Sequence, residues 1–268
     1  MKTESTEFPV HLLEEIRNTY NKRRFVSPDP LQFLYKYNNL HDREISGMIA
    51  AFLAFGRVDQ ILGAVDRVLG VMGDNPRKYI EAASPSDFYH DFAGFQYRFV
   101  KGVQVAELCK GLKYIIKTFG SVNECFLAGF SGKHDTVLNG LSFLICRILE
   151  NSEPGYLVAH PEKGSACKRS NLYLRWMVRR DEVDPGGWTG VSPSRLILPL
   201  DTHMHRICRL IGLTERKQAN MKTAIEATGS LRKIAPDDPV RYDFSLTRFG
   251  IRQDFEIRTL AEMFRQNP

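Results

Sequence analysis

Two side chains in this chain have the type and setting that chemistry needs, an aspartate and a lysine separated by 33 positions. The aspartate closes a short apolar run, Leu198-Pro199-Leu200-Asp201, and a basic segment from Thr202 to Leu213 follows. Within that segment Met204, Ile207, Cys208 and Ile211 recur at the spacing of one helix face. Asp201 therefore stands where an N-cap belongs, and Gly212 where a helix terminator belongs. The opposite face is expected to carry His205, Arg206 and Arg209. A carboxylate fixed at a helix start beside cations can stabilise positive charge or relay a proton on a nucleic acid. It can equally be only a cap.

The lysine lies in Gly164-Ser165-Ala166-Cys167-Lys168-Arg169-Ser170-Asn171-Leu172-Tyr173-Leu174, where a turn of small residues feeds a helix. Backbone N–H groups at such a helix start attract phosphate. Lys168 can anchor DNA there, or, when neutral, serve as an amine nucleophile.

The elements that must position these two groups are mostly helices. Val10, Leu12, Leu13 and Ile16 start one, which ends before Ser27-Pro28-Asp29-Pro30. Stronger stripes predict helices over Asp42–Phe55, terminated by Gly56, and over Ile61–Met72, stopped at Gly73-Asp74-Asn75-Pro76. Further helices are expected at Val105–Phe119, Val137–Leu149, about Ala166–Arg180, Gln218–Ile234 and Ile257–Phe264. Asn151–Gly164 reads as a connection. Asp181–Arg195, with Asp184-Pro185-Gly186-Gly187-Trp188, reads as a long irregular loop of the kind that often carries function.

Composition bounds the alternatives. The chain has 268 residues, enough for one large domain or two lobes, and its 43% hydrophobic and 25% charged residues indicate a folded soluble protein. Its longest apolar run, Met48–Phe55, is far short of the ~20 residues of a membrane span, so no membrane association is expected. Met1–Glu7 has acids and no apolar export core. The five cysteines, Cys109, Cys125, Cys146, Cys167 and Cys208, are odd in number and widely spaced. Reduced thiols in a cytoplasmic protein are expected, with no cysteine metal site and no cofactor. The net charge is +6, and Lys163–Lys217 alone holds 11 Lys or Arg against 5 Asp or Glu. All the positive excess thus falls in the segment containing both candidate groups, which favours a polyanionic partner.

Together the Gly164–Lys168 turn and the Asp201 helix resemble the helix-hairpin-helix DNA glycosylase superfamily, whose members include endonuclease III. Gly164 fits the first glycine of that family's hairpin, Lys168 its catalytic lysine and Asp201 its catalytic aspartate; Asn171 and Leu174 fit the helix after the hairpin. Glu44–Phe55 resembles an early family helix, and Gly250 a late glycine. The specific similarity covers about residues 42–58 and 164–213. The Lys-to-Asp separation is closest to an archaeal 8-oxoguanine glycosylase branch. The chain also resembles a bacterial family of uncharacterised conserved hypothetical proteins. In three respects it departs from endonuclease III: Ala166 replaces the second hairpin glycine, the Lys-to-Asp separation is longer, and the four-cysteine cluster motif is absent. The region of the duplex-wedging residue reads Ala54-Phe55-Gly56-Arg57.

The resemblance implies an all-α, two-lobed fold, with a central bundle over 42–181 and a terminal lobe built from 1–41 plus 182–268. It implies double-stranded DNA with a damaged base as partner, an oxidised purine among the possible lesions, no iron–sulfur cluster and a monomer. Lys168 would form a Schiff base with lyase cleavage, and Asp201 would assist. Gly164, Ser165, Ala166, Arg169, Arg206 and Arg209 would contact DNA. An extruded base needs flat or apolar walls, and Trp188 and Tyr173 are the candidates. The alternatives are a non-catalytic nucleic-acid-binding protein on a degenerate glycosylase scaffold, or an enzyme acting on RNA or free nucleosides.

Overall fold

A computed structural model describes residues 9–251 and residue 264. Helix α1 (Val10–Tyr20) leads through short 3-10 turns at Arg23–Phe25 and Pro30–Lys36 into α2 (Leu40–Phe52). The Asn39 side chain accepts hydrogen bonds from the backbone N–H groups of His41 and Asp42, so α2 starts two residues earlier than its apolar stripe predicts. Every α2 residue from Glu44 to Phe52 is buried. Such a helix shows no polar face because it has none exposed.

Around α2 run α3 (Val58–Met72), α4 (Pro76–Ala82), α5 (Pro85–Asp91), the antiparallel pair β1 (Gln96–Tyr97) and β2 (Val100–Lys101), and α6 (Gly102–Phe119). Then come α7 (Val122–Ala128) and α8 (Leu138–Leu149). The short α4, α5 and α7 offer too few turns for a periodic stripe, although α5 carries a capping box between Ser84 and Asp87. Helix α9 (Lys168–Val178) lies against α2, and α1 packs on the last described helix, α12 (Asp243–Ile251). Between them lie α10 (Thr202–Leu210) and α11 (Met221–Ile234). The α2–α9 approach is close at Gly47, where an added Cβ would stand 3.3 Å from the Tyr173 ring.

The protein is thus predominantly helical, as expected, and its buried residues form one cluster running from Leu13 to Leu246. Each fully buried Leu, Ile or Phe contributes about 1.5–3 kcal/mol. Among the described residues no helix is long and apolar enough to cross a membrane. The helix expected at Ile257–Phe264 lies outside the described residues except for Phe264.

The irregular stretch after α9 is fastened tightly. Gly186 N–H donates to the Trp176 carbonyl at 3.0 Å, and Trp188 N–H to the Met177 carbonyl at 2.9 Å. Arg175, buried on α9, pairs with Asp184 at 3.1 Å and also with Asp243 of α12. Arg179 pairs with Asp184, with Asp181 at 2.8 Å and with Asp238 at 3.0 Å. Removing one partner of such a buried pair costs about 3–5 kcal/mol. The segment is thus irregular, as expected, and its start is part of an ionic clasp in which Arg175 also holds α9 to α12.

Candidate functional site

The turn that launches α9 is built from two left-handed residues, Gly164 (φ +79°) and Cys167 (φ +47°). Ser165 between them pairs with Asn220 and accepts a hydrogen bond from Cys167 N–H at 3.2 Å. Asn220 in turn caps α11, so the turn is tied to the helix below it. Ala166 is not among the left-handed residues, so its side chain meets no backbone strain of that kind. Its carbonyl accepts a hydrogen bond from Asn171 Nδ2 at 3.0 Å. The strain falls one residue later, at Cys167, where a side chain costs about 1–2 kcal/mol.

This turn aims Lys168 at Asp201. Lys168 Nζ lies 3.7 Å from Asp201 Oδ2, and it also donates to the Ala54 carbonyl at 3.5 Å. Asp201 is the N-cap of α10: its Oδ1 accepts hydrogen bonds from His203 N–H at 3.0 Å and Met204 N–H at 2.9 Å. Gly212 (φ +76°) follows the end of α10, in the terminator position expected of it. One carboxylate oxygen therefore caps the helix while the other faces the lysine. The side chains of Lys168 and Asp201 are 28% and 43% exposed, so a ligand can reach both.

The pair stands on the wall between two adjoining cavities of about 820 Å³ and 500 Å³. Both are within the size range of small-molecule sites. They share Ala54, Phe55, Gly56, Lys168, Asp201 and His203. The larger one continues past Leu172 to Arg175, Asp243, Thr247 and Arg248. Asp243 is fully buried, and its Oδ1 has no hydrogen-bond partner. Burial raises its carboxyl pKa, opposed by the Arg175 guanidinium. His203 Nε2 likewise lacks a partner. Burial pushes the His203 imidazole below its ordinary 6.5; neighbouring Asp201 opposes this and Arg206 adds to it. No group of three or more His, Cys, Asp or Glu is placed to hold a metal among the described residues.

The other expected site residues divide. Gly164, Ser165, Arg206 and Arg209 are exposed, whereas Ala166 is buried. Arg169 is not free for phosphate: its guanidinium donates to the Phe52 carbonyl at 2.7 Å and the Tyr156 carbonyl at 2.6 Å, tying α9 to the end of α2. Trp188 is not a pocket wall. It is 5% exposed, and its Nε1 donates to Glu44 Oε1 at 2.8 Å. Tyr173 meets it edge-on in the core, with ring centroids 5.5 Å apart, and lines neither cavity. His205 is buried, with Nε2 2.8 Å from the Arg216 carbonyl oxygen, instead of on the outer face. The basic excess is also offset in space, because Asp243 and Asp238, from outside the basic segment, pair with Arg175 and Arg179 in the ionic clasp.

Sequence reasoning missed the α12 wall of the cavity. Asp243, Phe244, Ser245, Leu246 and Arg248 are all buried, so this part of the helix shows no exposed polar face to reveal it.

A family model described as "Protein of unknown function (DUF2400)" matches residues 29–252, a span that contains the turn, both candidate groups and α12. No curated protein and no solved structure matches the chain.

Proposed function

This chain belongs to the DUF2400 family of proteins of unknown function, and we propose that it is a DNA N-glycosylase with associated lyase activity on a two-lobed helix-hairpin-helix scaffold. The supporting observation is the 3.7 Å approach of Lys168 Nζ to Asp201 Oδ2 on an open cavity wall, while Oδ1 is separately engaged. A duplex nucleotide bearing a damaged base is extruded into the larger cavity. Lys168, having passed a proton to Asp201, attacks the anomeric carbon. A C–N bond forms to the lysine as the glycosidic C–N bond breaks, and the electron pair leaves with the base, which takes up a proton. Asp201 passes that proton on to the departing base and, a carboxylate again, offsets the positive charge that develops on the sugar. Loss of the second amine proton with ring opening gives an imine, and elimination of the 3′ phosphate then cuts the strand.

The second reading is a non-catalytic binding protein on a degenerate glycosylase scaffold, favoured by Ala166 and by the altered wedge region Ala54-Phe55-Gly56-Arg57; the backbone at Ala166, which is not left-handed, weakens only the first of these supports. The test is base release from duplexes carrying a panel of lesions, oxidised purines first. At least one lesion should be released by the native protein. Release should fall by about 100-fold or more in both Lys168→Gln and Asp201→Asn, a loss on the scale of one electrostatic or acid–base group. Salt-dependent duplex binding without release of any lesion, unchanged in Asp201→Asn, would replace the enzyme by the binding protein.

A further inference from the structure

Beside the candidate pair the surface carries an aromatic cluster that base excision at Lys168 does not use. In the β1–β2 hairpin Gln96 is opposite Lys101 and Tyr97 opposite Val100, which leaves Arg98 and Phe99 as a two-residue turn. Arg98 adopts φ +53°, at the first central position, where turns of this kind favour glycine. A strained non-glycine turn is the sort of feature that collects at functional sites. Its result is a phenylalanine at the hairpin tip, 53% exposed.

Phe99 is not alone. Its ring stacks on Phe55, with centroids 5.4 Å apart and planes at 20°, and meets Tyr156 edge-on at 4.4 Å. Tyr156 is itself 56% exposed. The cluster is held rigidly: the Arg169 guanidinium lies 5.2 Å from the Phe55 ring and 4.6 Å from the Tyr156 ring. The Tyr97 hydroxyl donates to the Phe55 carbonyl. Phe55 and Tyr156 line the smaller cavity together with Lys168 and Asp201, so the platform is continuous with the candidate site. Arg98 is exposed over Gly56 and has no ion pair among the described residues. Preformed aromatic faces beside an unpaired cation match a nucleobase and its phosphate, since every base has a π face to stack.

We propose that Phe99 and Tyr156, backed by Phe55, stack an unpaired nucleobase next to the cleft while Arg98 meets its phosphate. This rests on the reading of the cleft as a nucleic-acid site, and not on turnover there. The test is equilibrium binding of the full-length protein, by fluorescence anisotropy, to a paired duplex, the same duplex with one unpaired 2-aminopurine, and a single strand. The native protein should prefer the two forms with unpaired bases and should quench the 2-aminopurine. Phe99→Ala and Tyr156→Ala should each weaken those two forms about fivefold or more, with little effect on the paired duplex. Phe99→Leu should behave like Phe99→Ala, and Phe99→Trp should retain the preference. Unchanged or uniform losses would overturn the platform. Full binding by Phe99→Leu would overturn it in favour of apolar docking on a protein or lipid surface. Because binding is read without turnover, a preference retained in the absence of base release defeats the catalytic reading alone. Failure to bind any oligonucleotide defeats both.

Discussion

The two carboxylate oxygens of Asp201 face different partners, and that division can be tested by stability alone. Oδ1 accepts the His203 and Met204 N–H groups, and Oδ2 faces Lys168. Asparagine keeps a capping oxygen, so Asp201→Asn should change unfolding free energy by less than about 0.5 kcal/mol. Asp201→Ala should lose about 1 kcal/mol. Urea denaturation of the two variants checks this, and equal losses would show that the observed cap contributes nothing. The cap at Asp201 and the turn before Lys168 were legible in the sequence from their local settings, an apolar stripe and a run of small residues, whereas pairing the two groups rested on the resemblance to a family pattern. Trp188 and Arg169 were not legible. Trp188 is anchored by Glu44 and Arg169 by the Phe52 carbonyl, partners more than 100 positions away that no local pattern encodes.

At the scale of elements, the clasp that joins α9 to the 181–195 segment and α12 makes stability depend on acid. Burial alone would raise the Asp181 carboxyl pKa. Arg179, the N–H groups of Asp184 and Val183, and Asn21 hold it instead at about 2, below its ordinary 3.8. A carboxyl held low in the folded state stabilises above its unfolded pKa, and that contribution is lost as pH falls through the folded value. The difference corresponds to about 2 kcal/mol. Asp181→Asn should therefore be less stable than the native protein by about that amount at pH 7, with the gap closing between about pH 4 and pH 2. A gap independent of pH, measured by urea unfolding, would contradict the pairing. The helices with a one-sided apolar stripe, such as α3 and α6, were readable from spacing. Helix α12 was not, because its residues from Asp243 to Leu246 are buried on every side. The hairpin was hidden for a different reason: two-residue strands leave no alternation to read.

At the scale of the whole molecule, the positive excess near the site is smaller than the sequence implies, because the fold brings Asp243 and Asp238 from outside the basic segment to Arg175 and Arg179. What remains on the outer face of α10 is Arg206 and Arg209, both exposed and without ion pairs among the described residues. If they contact phosphate, Arg206→Ala and Arg209→Ala should each lower the slope of log affinity against log salt for duplex DNA by about 0.9. Unchanged slopes would place the duplex elsewhere. The fold class could be read in advance, since helical periodicity pervades the chain. The shape of the cavity could not, because its walls come from the α2–α3 connection, α3, α9, α10 and α12, which meet only in three dimensions. The account as a whole depends on one amine. Borohydride reduction during incubation with lesion-bearing duplex, followed by peptide mass mapping, should yield a covalent DNA adduct on Lys168 that is absent from Lys168→Gln. No adduct with any lesion, or an adduct that persists in Lys168→Gln, would contradict it.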